Sequence, residues 1–132
     1  MIKKLFLVVT IMILGIILLE GLRVIFNPLI RSEDSIREKL LTQIPLGTPM
    51  DEAIHFAKNK KGWSDIKISY TYGYPGNYSW ETVGEKHISV YAGEYRSILN
   101  LYLFEVDVEI YFGFNENSEL IDIRVRTTIN SI

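Results

Sequence analysis

Apolar and polar residues change their spacing along this chain, and each change marks a different kind of element. Leu5 to Leu19 run for fifteen residues without a charge, behind the basic pair Lys3-Lys4. As a helix that run covers about 22 Å, short of a ~30 Å hydrocarbon core. Continuing through Gly21, Leu22 and Val24-Ile25-Phe26 reaches the full thickness and sets Glu20 and Arg23 near its boundary. Three apart on a helix, those two can pair, and Arg23 can reach toward water. Asn27-Pro28 then ends the apolar helix or begins a stalk. Beyond it the spacing turns amphipathic. Ser32 or Ser35 can cap a helix, Ser35-Ile36-Arg37-Glu38 has capping-box spacing, Ile36, Leu40 and Ile44 fall on one stripe, and Pro45 stops the run. A second amphipathic helix opens at Thr48-Pro49-Met50-Asp51-Glu52. Thr48 is expected to cap it, with Pro49 in the first helical position and two carboxylates at the positive end of the dipole. Met50, Ala53, Ile54 and Ala57 form its apolar stripe; Lys58, Lys60 and Lys61 suit its end, and Gly62 closes it.

After Gly62 the period becomes two. Ile66, Ile68, Tyr70 and Tyr72 alternate with Asp65, Lys67, Ser69 and Thr71, which predicts a strand with both tyrosines on its core face. A loop follows from Gly73 to Trp80. His87 to Tyr91 predict a second strand, broken at Ala92-Gly93. The third places Tyr102, Phe104, Val106, Val108, Ile110, Phe112 and Phe114 on one face, with Glu105, Asp107, Glu109 and Tyr111 on the other. Asn115 to Ser118 make a turn, and Ile121, Ile123 and Val125 alternate with Asp122, Arg124 and Arg126 in a fourth. Pairing Phe114 with Glu119 would match Phe112 to Ile121, Ile110 to Ile123 and Val108 to Val125. The same register sets Glu109 against Arg124 and Asp107 against Arg126. The expected fold is therefore α+β: an N-terminal transmembrane helix, then two helices packed on a four-stranded antiparallel meander. Residues 1–26 form the anchor or signal segment, 27–34 a stalk and 35–132 an extracytoplasmic domain.

Composition narrows the role. Of 132 residues, 48% are hydrophobic and 23% charged, the balance of a folded chain. From Arg31 onward 11 Lys and Arg face 15 Asp and Glu, a net −4, which leaves no electrostatic footprint for nucleic acid. There is no cysteine, hence no disulfide, thiolate metal site, Cys nucleophile or lipid-modified Cys. Around Leu19-Glu20-Gly21-Leu22 the small-residue pattern of a cleavage site is missing, which favours an uncleaved single-pass signal anchor over secretion after cleavage. Lys3-Lys4 point the N-terminus to the cytoplasm, although Arg23 and Arg31 reduce the contrast. The expected location is the cytoplasmic (inner) membrane, with the C-terminal domain outside and the lipid bilayer meeting residues 5–26.

The order helix, helix, four strands resembles the outer-membrane assembly lipoproteins (BamE/SmpA-like) and the related repeats of β-lactamase inhibitor protein. The residues carrying the resemblance are Ile44-Pro45-Leu46-Gly47-Thr48-Pro49-Met50-Asp51-Glu52-Ala53, then Tyr111-Phe112-Gly113-Phe114-Asn115 and Leu120-Ile121-Asp122-Ile123. It spans roughly Ser35 to Thr127 and departs from the family where the tethering Cys would be. It implies a non-catalytic domain that binds through its sheet and loops.

Three groups of side chains compete for a role. Glu105, Asp107 and Glu109 set three carboxylates about 7 Å apart along one strand face, a spacing a carboxylate-dependent hydrolase could use. Arg124 and Arg126 are expected to neutralise them instead. His55 and His87 are far apart and without ligand spacing, and read as surface or core-edge histidines. Tyr70, Tyr72, Tyr74, Tyr78 and Trp80 fall within eleven residues. Tyr70 and Tyr72 continue a core face, which leaves Tyr74, Tyr78 and Trp80 as the expected protein-binding residues, since tyrosine and tryptophan bury large area at low entropic cost. No catalytic, cofactor-binding or metal-binding residue is expected, and no cofactor. The leading expectation is a membrane-anchored, extracytoplasmic protein-interaction module in envelope assembly or maintenance with an unidentified protein partner. An immunity or inhibitor protein against an envelope-active toxin or hydrolase is the alternative, and the hydrolase the third.

Overall fold

A computed structural model describes residues 1–96 and 104–131. Helix α1 (Ile2–Phe26) takes in the whole apolar run. Between Leu5 and Leu19 its apolar side chains point to every face and are exposed. It is long and apolar enough to cross a membrane. Glu20 and Arg23 lie 3.9 Å apart, the pairing their spacing allows.

Helix α2 (Glu33–Gln43) is capped by Ser32, whose hydroxyl accepts from Ser35 N at 3.1 Å. Ser35 is therefore inside the first turn and the Ser35–Glu38 box is not used. Helix α3 (Met50–Asn59) starts one residue later than Pro49, and Thr48 does not cap it. The Thr48 hydroxyl instead donates back to Pro45 O at 2.6 Å, and the Met50 amide donates to Ser118 O at 2.8 Å. A neighbouring turn satisfies the free N–H that a side chain would otherwise serve. In the connector between α1 and α2, Asn27 Oδ1 accepts from Leu29 N at 2.9 Å, and Leu29 packs against the domain core.

Four strands form one antiparallel sheet in the order β1 (Ser64–Ser69), β4 (Lys86–Arg96), β5 (Phe104–Phe114), β6 (Leu120–Ser131). A short hairpin, β2 (Tyr74–Pro75) and β3 (Thr82–Val83), stands between β1 and β4 in the chain and outside the sheet. Helices α2 and α3 cover one face. Leu40, Ile44, Met50, Ala53 and Ala57 pack there on Ile88, Val90, Val108, Ile110, Phe112, Leu120, Ile123 and Val125. Trp63 closes the layer edge-on to Phe56, with ring centroids 5.7 Å apart, and 6.1 Å from Phe112. The α+β architecture of two helices on a four-stranded antiparallel meander is the one the periodicity predicts.

Three local expectations fail, each for a physical reason. Strand β1 ends at Ser69 because its buried hydroxyl accepts from Thr71 N and Tyr72 N, turning the chain off the ladder. Tyr70 and Tyr72 thus leave the sheet and are 59% and 63% exposed rather than core. Ala92-Gly93 does not break the second strand. It forms a bulge, and β4 runs on to Arg96. Gly93 takes φ +128°, a backbone conformation that favours glycine, and a Cβ there would stand 2.9 Å from the end of the Leu29 side chain.

The β5–β6 register is displaced by one at Phe114 and by two beyond it. Phe114 faces Leu120, Phe112 faces Ile123, Ile110 faces Val125 and Val108 faces Thr127. The turn holds one more residue than expected, with Asn115 N donating to Glu119 O at 3.0 Å and Ser118 at φ +60°. A second extra residue, Ile121, then bulges opposite Gly113–Phe114, so Leu120 turns inward and Ile121 outward. Two single steps preserve the alternation, so Ile123 and Val125 stay in the core. On the other face Glu109 faces Arg126 and Tyr111 faces Arg124, while Asp107 faces Thr128. Phe104 begins β5 in an exposed position, and Tyr102 lies outside the described residues.

Candidate functional site

The face of the sheet away from the helices carries the β2–β3 hairpin at one end and a field of polar side chains at the other. The hairpin rests on Tyr74, which is 1% exposed and not available for contact as expected. Its ring packs on Tyr111 at 5.6 Å and lies over Gly113, both of which alternate with the core residues Ile110, Phe112 and Phe114. A Cβ on Gly113 would stand 2.7 Å from the Tyr74 ring, so the hairpin needs a residue without a side chain beneath it.

A chain of polar contacts ties the hairpin to both layers. Tyr74 OH donates to Asp122 Oδ2 at 2.8 Å, and Asp122 Oδ1 accepts from Arg37 Nη2 at 2.7 Å. Arg37 Nε also donates to Ile123 O at 2.8 Å, and Arg124 Nη1 donates to Pro75 O at 2.8 Å. Burial, then the bond to Asp122, holds the Tyr74 hydroxyl well above the usual tyrosine range. The Asp122 bond raises Arg37 further, so the guanidinium is charged throughout. Sequence spacing carries no sign of this brace, because its members stand 48 and 85 positions apart.

Above the braced strands, the 76–81 loop closes on itself. Gly76 N donates to Glu81 O at 2.8 Å, Glu81 N to Tyr78 O at 3.0 Å, and Asn77 N to Glu81 Oε2 at 3.0 Å. This presents Tyr78 and Trp80 as a parallel stacked pair, with centroids 5.3 Å apart and planes within 6°. They are 62% and 79% exposed, two large aromatics facing solvent on a loop that those three bonds close. Of the three expected contact residues, Tyr78 and Trp80 come together at the tip, while Tyr74 is its foundation. Nearby, His87 is buried and donates from Nδ1 to Tyr72 O at 2.9 Å, whereas His55 is exposed on α3.

At the other end of this face the carboxylate row is engaged. Arg96 Nη2 donates to Glu105 Oε1 at 2.7 Å, and Tyr111 OH to Glu109 Oε2 at 2.8 Å. Asp107 accepts from Asn130 Nδ2, and the Tyr91 hydroxyl lies 3.1 Å from Asp107 Oδ1 and 3.2 Å from Glu94 Oε2, one proton between two carboxylates. Desolvation and those bonds push Tyr91 upward, and burial with the Glu109 bond pushes Tyr111 upward. Among the described residues no three His, Cys, Asp or Glu side chains converge as a metal site. Compared with protein families, curated proteins and solved structures, the chain matches none.

Proposed function

We propose that this chain is a single-pass protein of the cytoplasmic membrane whose outward-facing domain grips another protein through the Tyr78–Trp80 tip and the adjoining sheet. The observation that carries the reading is the stacked, exposed aromatic pair on a hairpin braced through Tyr74, Asp122 and Arg37. A preorganised aromatic pair loses little freedom on binding and buries a large area, the combination found at interface hot spots. Lys3-Lys4 ahead of α1 support an N-terminus on the cytoplasmic side, with α1 uncleaved. Glu105, Asp107 and Glu109 each accept a bond from a neighbour, which supports a role without catalysis. Two helices ahead of an antiparallel meander support the likeness to the envelope assembly lipoproteins as one of architecture, and with it a role in envelope assembly or maintenance.

The test is cross-linking in intact cells from a photoreactive residue in place of Ser79, between the two rings. A discrete adduct that disappears with Trp80→Ala and Tyr78→Ala but survives Glu109→Gln is the expected result. An adduct indifferent to both aromatics, or an activity lost with Glu109→Gln, would overturn the reading.

A further inference from the structure

Between α2 and the turn after α3 lies a groove of about 540 Å³, opening beside the last turn of α1. Its floor is apolar: Ile36 and Leu40 from α2, Ile110 from β5, and Trp63. Its mouth is lined by Ile25 and Phe26, the exposed end of the apolar helix. The charged groups along it are all basic. Arg31, Lys39 and Lys60 line it, no Asp or Glu does, and none of these three cations joins an ion pair among the described residues.

We infer that this groove takes an acyl chain of an anionic membrane phospholipid, with the lipid phosphate held by Arg31, Lys39 and Lys60. The inference rests on the proposed seat of α1 in a bilayer. If α1 spans the membrane, its last apolar turn lies at the boundary between hydrocarbon and headgroups, and the groove opens there. A lipid beside α1 can then place a chain against Ile36, Leu40, Ile110 and Trp63 without crossing water, and hydrophobic burial favours it. The volume falls within the usual range of small-molecule sites. Ammonium and guanidinium groups without a carboxylate competitor match a phosphodiester by charge and by hydrogen bonding. A zwitterionic lipid carries its own cation and complements the same rim poorly.

The experiment uses the full chain in phosphatidylcholine nanodiscs doped with phosphatidylglycerol bearing a photoreactive group at the end of one acyl chain. Adducts are mapped by peptide mass spectrometry. The expected result is labelling of Ile36–Leu40 and Trp63 in addition to α1. Lys39→Gln and Lys60→Gln should each lower the groove labelling roughly fivefold, with α1 labelling unchanged. Ser35→Trp, which fills the groove from an exposed position, should abolish it. Labelling confined to α1, or equal labelling by the matching phosphatidylcholine probe, overturns the inference and leaves the membrane seat standing. Absence of α1 labelling overturns the membrane seat itself. A photoreactive residue at Gln43 that joins a second copy or another protein in native membranes assigns the groove to that occupant and overturns the lipid.

Discussion

Tyr74 shows how much one side chain can hold when its hydroxyl has a charged partner. Tyr74→Phe keeps the ring on Tyr111 and removes only the bond to Asp122. The expected loss is about 1–2 kcal/mol, because Asp122 keeps Arg37 and is not left orphaned. Gly113→Ala acts from below: its Cβ would meet the Tyr74 ring at 2.7 Å and displace the hairpin. A cost of about 1–3 kcal/mol is expected, with lowered hydrogen-exchange protection at Gly76 and Glu81. Tyr74, Tyr91 and Tyr111 all titrate above their ordinary value of 10.0. A tyrosine raised by folding stabilises fully below its unfolded value and loses that contribution as pH rises through the folded one. Stability should therefore hold up to about pH 10 as far as these tyrosines contribute and fall above it. Urea midpoints measured against pH, with a shallower fall in Tyr74→Phe and Tyr91→Phe, check the sign.

At the scale of elements, helix α2 acts as a guard for the edge of the sheet. Strand β6 has β5 on one side only, and its outer edge would offer a free backbone ladder. Arg37 covers Ile123 O, while Glu33 Oε1 accepts from Thr127 N at 2.8 Å and from Thr127 Oγ1 at 2.7 Å. Arg37→Met should cost about 1–2 kcal/mol, toward the lower part of the range for charged hydrogen bonds because the pair is partly solvated. Chemical denaturation of the full chain in detergent measures it, and the variant should also self-associate more readily. Helix periodicity shows which face of α2 is apolar, since Leu40 and Ile44 recur at helical spacing. It contains nothing that assigns Glu33 and Arg37 to an edge strand some ninety residues away.

For the whole molecule, a helix with a fifteen-residue uncharged apolar run stands apart from a mildly acidic domain. On the proposed seat of α1 in a bilayer, Ile13→Arg places a charge near its middle and should reduce stable insertion by about 2.5–3.5 kcal/mol. Alkaline carbonate extraction reads the outcome as a shift of the full-length chain from pellet to supernatant. The domain joins α1 through a connector whose Leu29 sits against the bulge at Gly93, so connector and sheet meet through a packed contact.

The sequence by itself determined what depends on composition and period: the apolar helix, the two amphipathic helices, and the four strands of the main sheet with their apolar faces, but not the β2–β3 hairpin. Those follow from the local preference of each side chain for water or hydrocarbon, repeated at the spacing of the backbone. Tertiary structure alone decided where the ladder slips, because each bulge answers to neighbours distant in the chain: Leu29 beside Gly93, and Gly47 and Thr48, whose backbone bonds hold Leu120 beside the extra residue Ile121. It also decided which aromatics are buried. Ser69 breaks the alternation with its own hydroxyl, and the side chain that then reaches a distant carboxylate is Tyr74. Tyr78 and Trp80 are left stacked in water because the residues beneath them satisfy one another.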